Sequence, residues 1–479
     1  MKTRIYHLLA FVLFSTTAFG QVVVAVEAQD MLEAAALNPF LPIRVEYDVQ
    51  NYKVVYTTVD AFGQPDTASG LLTLPLTTEN SFFPLAVYNH GTVGGNREGV
   101  LSRMGVQERT LAVVIGATGY ITVSPDYIGL GDSDGRHPYV HAKTEASAGR
   151  DMLIAVRKWL TEQNIGYTDQ LFITGYSQGG HATAALHRDI ETNRTDDGLD
   201  VTSATYLSGP YSISDIMVST IFQEGNATLP GYIAYTYISY DYVYGLFDSL
   251  AQAFVDPYLP LIQAFADQET TLGEFNLELD ALLQSRGDRF NAIFQDSIRE
   301  ILRVGDPSEP INAALLDNDT YDWATNDPTL IYYCTLDEQV PFANAFRADS
   351  VMRANGSAAI TLESGGPLTH NGCVIPALSR TLEFWAEFAE VVSLGEPVAR
   401  TDLRLFPNPV SAGAELRLTG EGLNNALFAI YDVAGRTVAQ GNISTQGTLR
   451  LPNRIGSGLH LLRIGLDDGT SVIRRVLVR

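Results

Sequence analysis

Apolar and polar residues follow three successive patterns along the chain. In the first, short apolar runs alternate with longer amphipathic ones. "YKVVYTTVDAFGQPDTASGLLTLPL" holds two β-rich runs around Gly63-Gln64-Pro65-Asp66, which predicts a hairpin. "FPLAVYNHGT" predicts a buried strand ending at His90-Gly91, and "GYITVSPDYIGLGDS" a second that enters a glycine-rich loop. In "SAGRDMLIAVRKWLTEQN", Ala148, Met152, Ala155, Val156 and Trp159 fall near one face, so this run predicts a helix. "QLFITGYS" then reads as a strand, "QGGHATAALHRDIETN" as a helix and "SATYLSGP" as a strand. Strands alternating with helices predict an α/β domain with a mainly parallel sheet.

The second pattern runs from about Tyr211 to about Pro328. Here the text is helical and aromatic, with Tyr232, Tyr235, Tyr237, Tyr240, Tyr242, Tyr244 and Phe247 close together. It predicts a helical cap over 211–328, inserted before the alternation resumes at "TLIYYCTLDEQVP". The aromatics have two readings: they pack the cap onto the main domain, or some of them line an acyl or aryl pocket. The third pattern follows the turn-rich junction "SLGEPVARTDLRLFPNPVSAG". Short β-like runs spaced by Gly, Asn and Asp predict a small all-β sandwich over 399–479, separate from a main domain over 21–398. From Thr401 onward there are nine arginines, no lysine and six acidic residues.

Charge and the N-terminus narrow the partners. The chain has 479 residues and a formal net charge of −24. Such a surface repels phosphate backbones and argues against nucleic acid, while leaving neutral ester substrates open. Lys2 and Arg4, the apolar run Leu8 to Phe14 and the small residues of Ala18-Phe19-Gly20 form a signal-peptide pattern over 1–20, with cleavage expected before Gln21. That run is too short to span a bilayer, which takes ~20 apolar residues, and no later run suffices.

Gly175-Tyr176-Ser177-Gln178-Gly179 fits Gly-x-Ser-x-Gly at a strand-to-helix junction, the pattern that exposes a nucleophilic serine on a sharp turn. A reacting serine needs a base, a group that orients the base, and oxyanion donors. In the chain order Ser, acid, His, only three histidines follow Ser177 within the main domain: His181, His187 and His370. His181 lies on the helix right after the serine and reads as structural, and His187 lies further along it. His370, expected in the loop "GGPLTHNGC" after the strand "AAITLES", is the candidate base. Asp337, the first carboxylate after "LIYYCT", is the candidate acid, with Glu338 as the alternative. The oxyanion donors expected are the backbone N–H groups of Gln178 and Thr92. His90 is expected to brace its loop, and Asp126 to be structural or part of the oxyanion wall. Cys334 lies three residues before Asp337 and Cys373 three after His370, so a disulfide between them would tie acid to base if their strands are neighbours.

Two resemblances rest on these motifs. "VYNHGT", "SPDYIGLGDS", "GYSQGG", "LDEQVP" and "LTHNGC" resemble an α/β-hydrolase of the secretory-lipase type over roughly Tyr47 to Val392. That resemblance implies serine esterase or lipase chemistry without metal or cofactor, with Ser177 as nucleophile, Asp337 as acid and His370 as base. "LRLFPNPV", "IYDVAGRTV", "GLHLLRIGLDDG" and "IRRVLVR" resemble the C-terminal sorting domain of the type IX secretion system. This implies export through the periplasm and outer membrane by that machinery, to the surface or the medium.

The reading is a secreted carboxylic-ester hydrolase acting on a small-molecule or lipid ester. Three alternatives stay open: a secreted serine peptidase with the same triad, an acyltransferase, and a surface binding protein on a hydrolase scaffold. Substrate identity is not written in the motifs.

Overall fold

The computed structural model describes residues 21–479 apart from 42, 78–79, 94–98, 194–196, 224–228, 391, 395–403, 420–422, 424–425, 433–436 and 466–470. The expected leader over 1–20, the 398/399 boundary and the Gly-Arg pair of "IYDVAGRTV" lie outside the described residues.

A ten-stranded sheet organises the main domain. Its strands are β1 (Val23–Leu32), β2 (Asp48–Val59), β3 (Pro65–Leu76), β4 (Asn80–Asn89), β5 (Ile121–Pro125), β6 (Tyr167–Tyr176), β7 (Ser203–Leu207), β8 (Thr329–Tyr333), β9 (Ile360–Ser364) and β10 (Val392–Leu394). They lie in the order β1-β2-β3-β5-β4-β6-β7-β8-β9, and β10 pairs with the start of β4. β5, β4, β6, β7, β8 and β9 run parallel; β1, β2, β3 and β10 pair antiparallel with their neighbours.

Every residue of β5 and β7 is buried, as expected of strands covered on both faces; neither carries a charge, and Thr122, Ser124, Ser203 and Thr205 are buried with the apolar residues. Adjacent residues of one strand serve opposite faces. Val87, Ile173 and Ile331 join Met152 and Leu186 in one core, whereas Ala86, Phe172 and Leu330 join Trp385 in the other. The expected hairpin is β2–β3, closed by Asp60 N–H to Gln64 O (2.8 Å), with Gly63 at φ 75° where a side chain would be strained. β1 adds a strand that the hydrophobic pattern did not mark, because most of its side chains are partly or fully exposed.

Between β7 and β8 the described chain is helical. Helices Val218–Phe222, Pro230–Tyr244, Leu259–Ala266, Leu272–Arg286, Asp296–Val304 and Pro310–Asp317 surround their own apolar core. Tyr235, Tyr237 and Tyr240 are buried in it, and Tyr139 and Val140 of the main domain enter it. Tyr139 stacks on Tyr235 (centroids 4.5 Å apart, planes within 5°), and Tyr240 donates its hydroxyl to Val140 O (2.9 Å). Much of the aromatic stretch therefore fastens the cap to the main domain.

The C-terminal residues form two antiparallel sheets. One contains β11 (Arg404–Phe406), β12 (Glu415–Thr419) and β15 (Thr448–Arg450). The other contains β13 (Leu427–Tyr431), β14 (Thr437–Asn442), β16 (Gly458–Gly465) and β17 (Ser471–Val478). Leu416, Leu418, Ile430, Leu462, Ile464 and Val476 share one apolar core. Among the described residues, no helix is long and apolar enough to cross a membrane.

The register places Gly175 of β6 beside Asn89 of β4, so the two strands end together at the edge where the loops of interest emerge. A Cβ on Gly179, in the helix that follows, would lie 2.0 Å from Asn89 O. Gly179→Ala is expected to destabilise the protein at or above the upper end of the ~1–3 kcal/mol that overpacking costs. A denaturant titration should show a lowered midpoint at unchanged slope.

Candidate active site

Ser177 sits between the end of β6 and the helix Gln178–Thr192, with φ 59° and ψ −121°. Such a backbone is uncommon for a residue with a side chain and costs about 1–3 kcal/mol, so it persists only where its surroundings enforce it. They do. Ser177 N–H donates to Leu207 O (2.9 Å), and Ser177 O accepts from Gly180 N–H (2.9 Å). The glycines let the helix start touch the sheet: a Cβ on Gly175 would lie 2.3 Å from Gly179 O. The result is a strained strand-to-helix elbow that presents Ser177.

Asp337 lies on the loop after β8. Its Oδ1 accepts from the N–H groups of Gln339 (3.0 Å) and Val340 (2.8 Å), and its Oδ2 lies 2.7 Å from His370 Nδ1. With Nδ1–H donated to the carboxylate, the His370 lone pair is at Nε2. His370 was expected in a loop; it is instead the first residue of the helix His370–Ala386, whose start is capped by Thr369 Oγ1 accepting from Gly372 N–H (3.3 Å). The sequence pattern hid this because Gly365, Gly366 and Pro367 precede it and Gly372 lies within its first turn.

Glu338, the alternative acid, does not take the imidazole. Its Oε2 accepts the backbone N–H of His370 (3.0 Å). Partial burial pushes its carboxyl up, but this hydrogen bond and others outweigh that and hold it below the usual range. Tyr176, immediately before Ser177, donates its hydroxyl to His370 O (2.7 Å) and sets its ring 5.1 Å from the imidazole. Burial pushes the Tyr176 phenol up, so it stays protonated as a donor. The motif reading missed Tyr176, since nothing local in the sequence points from residue 176 to residue 370. Cys334 and Cys373 are bridged, with Cα atoms 6.2 Å apart, joining the loop of Asp337 to the helix of His370.

Ser177, Gln178, Asp337 and Glu338 border one cavity of about 370 Å³ under the cap, together with Tyr232 and Tyr237. Among its described lining residues, the two carboxylates carry the only charges. Gln178 is the first residue of its helix, so its backbone N–H has no intrahelical acceptor. Thr92 is not part of this lining; its Oγ1 lies 3.0 Å from the Tyr139 hydroxyl, and Tyr139 does line the cavity. The N–H of Gly91 is taken by Glu108 Oε1 (2.6 Å).

His90 lies between the carbonyls of Gly91 (2.7 Å) and Asp126 (3.2 Å) and braces that loop. Asp126 is buried, accepting from Ser69 Oγ (2.6 Å) and Ser102 N–H (3.0 Å), which makes it structural. His181 and His187 are both buried and bonded elsewhere, His181 to Glu145 and His187 to Tyr206 and Asp327. Among the described residues no group of three or more His, Cys, Asp or Glu side chains is placed to hold a metal ion.

No protein-family model matches the chain and no curated protein matches it in sequence. Solved structures do match in shape. A Legionella pneumophila protein provisionally assigned as a hydrolase superposes with a TM-score of 0.69 at 26% identity, over 76% of this chain and 98% of that one. The rice cell wall degrading esterase LipA from Xanthomonas oryzae gives 0.64 at 24% identity, over 76% and 95%. Candida antarctica lipase A in its closed state gives 0.55 at 14% identity, over 78% and 83%. The chain has the α/β-hydrolase fold with an additional all-β C-terminal unit, and its likeness to the Legionella protein supports a hydrolase.

The disulfide gives a stability prediction. Cys334 and Cys373 close a loop of sequence separation 39. Replacing both by serine is expected to cost ~3–4 kcal/mol by the chain-entropy relation. Guanidinium unfolding of the two forms, with and without reductant, checks it: reductant should shift only the wild type.

Proposed function

We propose that the protein is an exported serine hydrolase of carboxylic esters. One observation carries the reading: a serine held at positive φ on a strand-to-helix elbow shares a cavity with a carboxylate that is bonded to a histidine. In the proposed reaction, Ser177 Oγ attacks the ester carbonyl while His370 Nε2 takes its proton. Asp337 holds the imidazolium that forms, and the N–H group of Gln178 receives the oxyanion, with Thr92, which meets the lining residue Tyr139 at the edge of the cavity, as the second donor. The C–O bond to the alcohol breaks, and His370 returns the proton to the departing alcohol. Water then attacks the acyl-enzyme by the same route, releasing the acid and restoring Ser177.

An ester fits this cavity better than a peptide terminus. A carboxylate-terminated peptide would need a cation to hold it, and the described lining supplies only Asp337 and Glu338 as charged groups. Tyr232, Tyr237, Ile233 and Phe342 instead offer apolar surface to an acyl or aryl group. The export half of the proposal rests on the signal-peptide pattern over 1–20 and on the sorting-domain resemblance of 399–479, with the type IX machinery as partner.

Fluorophosphonate is expected to label Ser177 of the wild type and not Ser177→Ala, as located by peptide mass spectrometry. Asp337→Asn is expected to lower kcat on a short-chain p-nitrophenyl ester by up to about 10⁴-fold, because the imidazole would lose its orienting acceptor. An unlabelled but folded wild type would sink the catalytic reading and favour a binding protein. For export, the protein recovered outside cells of a type IX-competent host is expected to begin at Gln21. Retention in the periplasm when residues 399–479 are removed would support the sorting role, and undiminished export would exclude it.

A further inference from the structure

Resting on the ester-hydrolase reading, we infer that Glu145 is a positioning residue for the oxyanion donor, acting through the side chain of Gln178. Gln178 follows Ser177 directly, and its side chain points away from bulk water: the residue is 1% exposed. Its Nε2 lies 2.9 Å from Glu145 Oε1 and 2.9 Å from His137 Nε2. A side-chain amide has two N–H donors, and each has one acceptor here.

The direction of every bond in this cluster follows from its two ends, which are carbonyls. His137 Nδ1 lies 2.9 Å from Ile128 O. A carbonyl only accepts, so the proton is on Nδ1 and Nε2 must accept from Gln178. Burial agrees, pushing the His137 imidazole down to about 3 and keeping it neutral. At the other end, His181 Nε2 lies 2.8 Å from Asn318 O and must donate to it. His181 Nδ1 lies 2.6 Å from Glu145 Oε2, so a second proton sits between those two atoms. Glu145 Oε1 is then left to accept from Gln178. Turning the Gln178 amide over would set its oxygen against the Glu145 carboxylate and the His137 lone pair, so one orientation is dictated. Its Oε1 has no partner among the described residues, a cost the cluster bears to keep the two N–H bonds.

Glu145 and His181 are both fully buried. Such a pair contributes little net stability compared with apolar packing. What it does accomplish is geometric. The backbone N–H of Gln178 belongs to the residue whose side chain is pinned at both donors, so the helix start cannot rotate about Ser177 without breaking two buried bonds. An oxyanion donor works only if its aim is set before the charge develops.

The test compares variants of the full chain under active-site titration, so that misfolded protein is not counted. Glu145→Ala is expected to lower kcat per titrated site by roughly 10–100-fold, a part of the ~10²–10³ lost when an oxyanion donor is removed outright. KM should stay within about twofold. Glu145→Gln is expected to recover most of that kcat, since a glutamine can accept from Gln178 and donate to a neutral His181. Glu145→Asp sets the carboxylate back by one methylene, so that it no longer spans both His181 and Gln178, and is expected to stay folded with kcat clearly reduced. A peptidyl or alkyl boronic acid, which mimics the oxyanion, should lose affinity in parallel with kcat in the alanine and aspartate variants. If Glu145→Ala does not fold, Glu145→Asp decides: wild-type kcat per site there would overturn the inference. Labelled wild type with unchanged kcat in both variants overturns the inference alone, whereas unlabelled wild type overturns the hydrolase reading and this inference with it.

Discussion

The close approach of the elbow helix to the sheet is the constraint from which the rest of the site follows. Gly175, Gly179 and Gly180 bring backbone against backbone, and a single added methyl at Gly179 would collide with Asn89 O. That contact fixes the height at which Ser177 leaves β6. Once this height is set, the ends of β4, β7 and β8 lie around the serine, because the parallel register carries their last residues to one edge. The turn is strained, and hydrogen bonds to Leu207 and from Gly180 hold it.

Around that fixed point His370 is held by several ties. His370 has its side chain on Asp337, its N–H on Glu338 and its carbonyl under the Tyr176 hydroxyl. Two of these reach the loop after β8, one reaches Tyr176 at the end of the strand that leads into Ser177, and the disulfide repeats the first link covalently. A histidine with so many anchors has little conformational freedom left to lose when a substrate binds. The arrangement puts the two neighbouring carboxylates to different uses: Asp337 addresses the ring and Glu338 the backbone.

How much of this was legible in the sequence depends on the range of each interaction. The α/β alternation was readable because the buried strands β5 and β7 are short, mostly apolar and free of charge, and the helices between strands carry a regular face. The elbow was readable because its glycines and serine lie within five residues. The choice of Asp337 and His370 followed from chain order and from their places beyond strands. β1 was not readable, since a largely exposed edge strand lacks the alternation that marks one. The helix at His370 was obscured by the glycines and proline around its start. Glu145, His137 and Asn318 lay beyond reach for a different reason. Each is unremarkable locally and acquires its role only when helix Ala142–Glu162, helix Gln178–Thr192 and the end of the cap converge.

Asn318 bears on how such a fold can change. It stands at the end of the last cap helix, and its carbonyl terminates the hydrogen-bonded series that reaches Gln178, while its side chain accepts from Ala142 N–H (2.8 Å) and donates to the Tyr244 hydroxyl (2.9 Å). An inserted segment is usually regarded as an exchangeable module that selects substrates while the sheet keeps the chemistry. Here the module supplies an acceptor to the buried cluster behind the elbow. A cap trimmed away, or one whose last helix ends elsewhere, would remove the carbonyl that obliges His181 to donate, and the proton arrangement beside Ser177 would no longer be unique. New specificities in this scaffold are therefore easier to reach by altering Tyr232, Ile233 or Tyr237 within the existing cap than by replacing it whole.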